Sequence, residues 1–257
     1  MTPITITILT PTFNRRHTLP RLYESLKRQQ VNTFEWLIID DGSTDQTEEY
    51  IARISAEGNI PIRYLKQKNQ GKHIALNTGV NKAKGDWVFI VDSDDFLDID
   101  ALQLIEKNIY KNVGYQQCYR RQFTDGRIIG KKIVQDIFIG SATQAGNIYQ
   151  GDLAYVFETK VLKKFPFPKF PNEKFVPELY IWNKISDEHQ IIFFSHSAPY
   201  ICEYLDDGYT KRFKEHLKKN PFGFLLFYRN QINREKSIIK KIKYIIRSIQ
   251  CVLYIKR

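Results

Sequence analysis

Over roughly its first hundred residues the chain alternates short β-branched runs with helical repeats, each run opening onto polar or acidic residues, and that pattern confines it to layered α/β folds. Residues 4–10 are short and β-branched, as a buried strand should be, and Leu19, Leu22, Tyr23 and Leu26 recur at helical spacing within residues 19–30. Residues 34–39 form the next strand. Ser43-x-x-Gln46 has the form of a capping box opening a helix through Tyr50, Ile51 and Ile54. Residues 62–65 and 87–91 are two further strands, separated by a helical segment over residues 72–83. The expected architecture is a mainly parallel central sheet flanked by helices, with ligands outside the carboxyl ends of its strands.

After about residue 112 the pattern changes. Residues 115–123 and 128–139 look like sheet or hairpin segments around Asp125-Gly126, residues 176–186 read as helix and 190–194 as strand. The proline-rich stretch 165–171 is expected to be a loop, because proline neither donates a ladder bond nor continues a helix. This divides the chain into one domain over residues 1–220, with halves 1–112 and 113–220, and a basic helical extension over 221–257.

The run Val91-Asp92-Ser93-Asp94-Asp95 follows directly on an apolar strand. Carboxylates crowded at the mouth of a buried strand repel one another and desolvate badly, so a cation is expected to neutralise them. Oxygen-only ligation, with no flanking Cys or His, favours Mn²⁺ or Mg²⁺ over zinc. Such an ion, held by one or two of these carboxylates, fills its remaining positions with water and substrate phosphates, and the loop reads as a nucleotide-diphosphate site. The plainer reading has Asp94, Asp95 or Asp98 capping the helix that follows, but a cap does not require so many carboxylates.

With 257 residues, 42% of them hydrophobic, the chain can bury a proper core. It has no run of about 18 apolar residues to span a bilayer as a helix, and no basic and apolar leader precedes the first strand, so a cytoplasmic location is expected. Cys118, Cys202 and Cys251 are scattered and odd in number, which suits a reducing compartment and argues against a disulfide framework or zinc site.

Polar residues gather at the strand ends: Pro11-Thr12-Phe13-Asn14-Arg15, Asp40-Asp41-Gly42-Ser43 and Asp92-Ser93-Asp94-Asp95, with Asn69-x-Gly71-Lys72, Ala75-Leu76-Asn77-x-Gly79 and Ala83-x-Gly85-Asp86 between them. In order and spacing these motifs resemble the family-2 glycosyltransferases of the GT-A (nucleotide-diphospho-sugar transferase) fold, most strongly over residues 4–100. The segment from Glu173 to Asn183 looks like the acceptor-side motif of a bacterial branch that builds surface polysaccharides. Many members carry a Glu-Asp pair there, its acid serving as catalytic base; this chain has Glu178 followed by Leu179.

The resemblance implies a metal-dependent, inverting transfer of a sugar from a nucleotide diphosphate, expected to be UDP, to a saccharide or lipid-linked saccharide. It implies Glu178 as the base, with Glu173 as runner-up, and Trp182, one helical turn beyond Glu178, either stacking on an acceptor sugar or buried. Asp41 resembles the family's uracil-reading acid, with Pro11, Thr12 and Asn14 beside it. Asp40 serves the ribose or positions the loop, Lys72 reaches the diphosphate or is solvated, Asp94 contacts ribose or metal, Asp95 the metal, and Asp92 supports them.

A sugar-phosphate nucleotidyltransferase would share the nucleotide and metal needs, but calls for a glycine-rich basic loop after the first strand, where Pro11-Thr12-Phe13-Asn14 stands instead. A nucleic-acid-binding module is suggested only by the net charge of +11. That charge is concentrated: between Arg229 and Arg257 nine basic residues accompany one acid, Glu235, so no nucleic acid is expected as a partner. In this tail Ile238, Ile242, Ile245, Ile246, Ile249, Val252 and Leu253 form one helical stripe, with Lys236, Lys240, Lys243 and Arg247 largely outside it. The stripe suits a peripheral anionic membrane contact through Lys240, Lys241, Ile242, Lys243, Ile246 and Arg247, or equally packing on the domain or a partner subunit.

Overall fold

The computed structural model describes residues 4–203 and 213–256. The elements β1 (Ile6–Thr12), α1 (Leu19–Lys27), β2 (Phe34–Asp40), α2 (Thr47–Ala56), β3 (Ile62–Lys66), α3 (Lys72–Lys82) and β4 (Trp87–Ile90) follow one another in the expected alternation. β3, β2, β1 and β4 lie side by side in that order and run parallel. β1 and β2 are buried along their whole length, as strands covered on both faces must be. Their side chains alternate between two apolar layers. Ile6, Ile8 and Ile38 meet Leu22, Ile51 and Ile105 on one face, while Leu9, Leu37 and Ile39 meet Leu76, Val80 and Ile181 on the other. Gly79 of α3 lies against Leu9, where a Cβ would come within 2.1 Å of its side chain, so this helix packs closely only because position 79 has none.

The next part is mixed: β5 (Phe96–Leu97), α4 (Ala101–Lys111), β6 (Gln116–Phe123), β7 (Ile137–Gly140), α5 (Ala142–Tyr149), β8 (Leu153–Glu158), α6 (Thr159–Leu162), α7 (Leu179–Glu188), β9 (Ile191–Phe194) and β10 (Tyr200–Cys202). β8 inserts antiparallel between β4 and β6. The first half of β6 pairs with β9, which carries β7, and its second half pairs with β10, which carries β5. Three helices follow: α8 (Phe213–Lys219), α9 (Pro221–Arg234) and α10 (Ile238–Ile255).

Several local expectations are corrected. Ser43 and Gln46 form no capping box; α2 starts at Thr47 behind a left-handed Gln46, and the Ser43 hydroxyl takes the Asn14 amide instead. Residues 128–139 do not form one hairpin arm, since Ile128 makes only an isolated bridge to Gln122 and β7 pairs with β9. α7 begins at Leu179 rather than 176, after Pro177. The capping box that does exist opens α5, with Ser141 and Gln144.

Candidate active site

At the carboxyl ends of β1, β2 and β4 the chain encloses a cavity of about 1180 Å³. Pairing of β1 with β4 ends at Leu9–Ile90, and the next β1 residue on that side is Pro11, which has no N–H to continue the ladder, so the strands part there. Pro11, Thr12, Asp41, Asp92, Asp94 and Asp95 line the strand-end wall, and Lys72 and Glu178 also face the space.

Asp41 holds the cavity floor. Its carboxylate accepts from the Gln67 side chain (2.7 Å) and from the backbone amides of Gln70 (2.9 Å) and Gly71 (2.7 Å), drawing the 67–71 loop over the end of β2. Gly71 has φ +96°, and a Cβ there would lie 2.0 Å from the Lys174 carbonyl oxygen, so this position joins the first half of the chain to the loop leading to Glu178. Two buried polar atoms in this corner, Thr12 Oγ1 and Asn69 Oδ1, have no hydrogen-bond partner among the described residues. Buried polar groups are normally paired, so these two mark where a ligand's polar edge would be received.

Across the cavity, Lys72 stands between two carboxylates, 2.6 Å from Asp92 Oδ1 and 2.7 Å from Glu178 Oε1. Burial alone would lower the Lys72 pKa, but Asp92 and then Glu178 hold it above the ordinary lysine value. Burial works against the Asp92 charge, yet Lys72 and Arg121 keep its pKa below the usual carboxylate range. Asp94 and Asp95 are pushed the other way. Burial and the charge of Asp92 raise both, and Asp95 is carried up to about 7 despite Arg121 nearby. Asp95 is 6% exposed and accepts from the Tyr200 hydroxyl (2.8 Å) and the Glu203 amide (3.2 Å).

Among the described residues no three acidic, His or Cys side chains converge to enclose an ion unaided. Mg²⁺ and Mn²⁺ do not require that, since one or two carboxylates plus water and phosphate oxygens complete an octahedral shell. Asp94 and Asp95, oxygen donors whose negative charge is poorly compensated, fit such a cation.

Four expected site residues lie elsewhere. Asp40 is fully buried, its carboxylate taking the Ser43 amide (2.7 Å) and the Tyr64 hydroxyl (2.5 Å), so it positions the loop rather than meeting a nucleotide. Asn14 is likewise a loop tie, its side chain accepting from the Thr44 amide at 2.8 Å. Glu173 is buried at the start of α9, where it accepts from the Phe222 (2.7 Å) and Gly223 (2.8 Å) amides, and this helix-capping role removes it as a base. Trp182 is 4% exposed with Phe157 at 4.8 Å and Tyr155 at 5.4 Å between ring centroids, so its faces are covered by protein and no sugar can stack on it. Trp182→Ala is expected to cost about 3–5 kcal/mol of stability; urea unfolding would measure the loss, with nucleotide binding unchanged below the transition.

The chief residue missed is Arg121. Its guanidinium lies 4.1 Å from the Tyr200 ring centroid and 3.6 Å from Asp95 Oδ2, and its Nε donates to the Leu153 carbonyl. The signal was present, since two adjacent arginines inside a strand must each find a buried partner. Phe13, 47% exposed, stands at the cavity rim within the same strand-end motif as Pro11 and Thr12.

Known proteins resemble the chain in parts. Glycosyltransferase GlyA of Streptococcus pneumoniae is 35% identical over 104 residues, 40% of this chain and 15% of that protein. Chondroitin synthase of Escherichia coli is 35% identical over 115 residues, 44% of this chain and 16% of that protein. The chain thus spans less than a fifth of these relatives. Among solved structures, S. aureus TarS 1-349 in complex with UDP-GlcNAc superposes with TM-score 0.70 at 18% identity, covering 96% of this chain and 81% of that one. The mannosyltransferase PcManGT of Pyrobaculum calidifontis, in complex with GDP-Man and Mn²⁺, gives TM-score 0.65 at 15% identity, covering 98% and 74%. The fold is therefore the GT-A fold. Residues 7–165, from β1 past the acidic loop and β8, match the profile of glycosyl transferase family 2. A match that takes in more than half the chain, the acidic strand ends of the cleft included, makes this protein a member of that family.

Proposed function

We propose that the protein transfers a sugar from a nucleotide diphosphate, UDP in our reading, to a hydroxyl of a saccharide or lipid-linked saccharide, with inversion at the anomeric carbon. The observation that carries this is the gathering, within one cavity, of the acidic strand end and Glu178, joined through Lys72. The family membership, and relatives named as a glycosyltransferase and a chondroitin synthase, support polysaccharide synthesis as the setting.

The nucleotide base enters the corner made by Thr12, Asn69 and Asp41, where the Asp41 carboxylate accepts the single ring N–H of uracil and the unpartnered Thr12 hydroxyl donates to a flanking carbonyl. Phe13 covers it at the rim. Asp94 and Asp95 would hold Mn²⁺ or Mg²⁺, which as a Lewis acid neutralises the diphosphate. The bond from the anomeric carbon to the β-phosphate oxygen breaks, its electron pair leaving with the diphosphate. On the opposite face the acceptor oxygen forms the new bond, and its proton passes to Glu178. Lys72, paired with both Asp92 and Glu178, keeps the Glu178 carboxylate aimed inward until the acceptor arrives. A single displacement of this kind inverts configuration.

Thermal-shift screening of nucleotides and nucleotide sugars with Mn²⁺ tests the donor. A ligand at a hundredfold excess over its Kd stabilises by about 2.7 kcal/mol, a rise of roughly 5–10 °C for a domain of this size. UDP or a UDP-sugar should give that rise and a cytidine or adenosine diphosphate should not. A larger response to GDP than to UDP would overturn the uridine assignment.

A further inference from the structure

The helix α10 is apolar on two opposite sides. One side is docked: Cys251 is fully buried, Tyr244 stacks on Tyr228 of α9 at 5.8 Å between centroids, and Arg247 lies 5.3 Å from the centroid of the Phe213 ring of α8. At about 100° per residue, the side facing away from Cys251 and Tyr244 carries Ile238, Ile242, Ile245, Ile246, Ile249 and Leu253. These six are 45–73% exposed, and Ile239 at their edge is 81% exposed. Among the described residues nothing covers this stripe, contrary to the sequence-based alternative that it packs on the domain.

Isoleucine is among the residue types most often buried, and a contiguous patch of it on a helix that already has a packing face marks an interaction surface. The charges distinguish the partner. Lys241 and Lys243 flank the patch on either edge, and exposed Lys236 precedes it. Lys240 and Arg247, expected from sequence as membrane contacts, belong to the docked side, where Lys240 bonds the Asn147 side chain and Arg247 bonds Gln250. No acidic residue occurs in α10, and the buried Glu235 ahead of it is bonded by Asn147. Two copies meeting through this face would set lysine against lysine with no acid to pair, whereas lipid phosphates complement it.

We infer that the isoleucine face of α10 inserts into the surface of an anionic lipid bilayer, the helix lying in the interface plane. No described helix is long and apolar enough to cross a membrane, and an 18-residue helix with lysines at the edges of its apolar face has the build of one that lies flat. α8, which packs against α10, supplies His216 and Lys219 to the cavity wall, so this attachment holds the cavity beside the lipid surface. Delivery of a lipid-linked acceptor there rests on the function proposed above; the attachment itself does not.

Flotation of the full chain with vesicles at physiological salt tests it. The protein should float with phosphatidylcholine mixed with phosphatidylglycerol and stay behind with phosphatidylcholine alone. Changing Ile242, Ile246 and Ile249 together to Ser should abolish flotation, and Lys241→Gln with Lys243→Gln should weaken it about thirtyfold. All five side chains lie away from the docked core, so an unchanged thermal midpoint will show that both variants are folded. Retention in the aqueous phase with both vesicles, or flotation indifferent to the isoleucine changes, overturns the inference. So does a dimer seen by sedimentation that the isoleucine changes dissociate while vesicles draw nothing, since a second copy would then cover the face.

Discussion

Glu178→Gln is expected to lower turnover by about 10²- to 10⁴-fold while leaving donor affinity nearly unchanged. Glutamine keeps the length and a hydrogen-bonding oxygen but cannot take a proton, so the loss falls on the step in which the acceptor hydroxyl attacks. Lys72 retains Asp92 at 2.6 Å, which keeps the donor side of the cavity assembled in the variant. Calorimetric UDP binding and single-turnover transfer, measured side by side, separate the two quantities. Glu173→Gln supplies the contrast: its carboxylate serves the α9 amides, so that change should lower stability and spare kcat. Equal turnover in Glu178→Gln and the unaltered protein would remove Glu178 from the chemistry.

The strand-end rule was enough to find most of the cavity, because in a parallel α/β sheet the carboxyl ends of the strands converge on one side whatever the loops do. Thr12, Asp41, Asp92, Asp94 and Asp95 all lie on that side for this reason. Which member of an adjacent acid pair faces inward was not legible. Asp40 and Asp41 differ by one residue, and the choice is made by the turn through Gly42 and by the Tyr64 hydroxyl waiting on β3. Helical spacing misled in a related way at Trp182. A separation of four residues gives a common face but not a common depth. Glu178 precedes the first turn of α7 and reaches Lys72, whereas Trp182 lies over the aromatic side chains of β8. Arg121 and Tyr200 escaped because their partners come from β4 and the loop after it, far away in sequence, and only the β6–β10 pairing brings them to the acids. In the tail, periodicity found the stripe but could not tell that the opposite face of α10 was the one that docks.

Asp95→Asn is expected to reduce transfer by about 10²- to 10³-fold or more, the scale on which loss of a charge-stabilising group is felt in a water-poor site. The same change should abolish the response of UDP binding to Mn²⁺. Asparagine keeps the side chain's size and an oxygen for the Tyr200 hydroxyl, so the fold should persist, with circular dichroism and the metal-free thermal midpoint close to those of the unaltered protein. What disappears is charge in a place where charge is hard to maintain. Burial and the neighbouring Asp92 both oppose ionisation of Asp95, and Arg121 relieves only part of that. A chain that sets two such carboxylates, Asp94 and Asp95, at the mouth of a buried strand lowers its own unliganded stability, and a divalent cation bound there would remove the repulsion. Chelator and mutation should therefore act on the same step: excess chelator ought to bring the unaltered enzyme down to the Asp95→Asn rate and leave the variant where it was. Full transfer in chelator would show that Asp94 and Asp95 serve the donor without a metal, whereas a variant still sensitive to chelator would show that Asp95 is not needed to hold the ion.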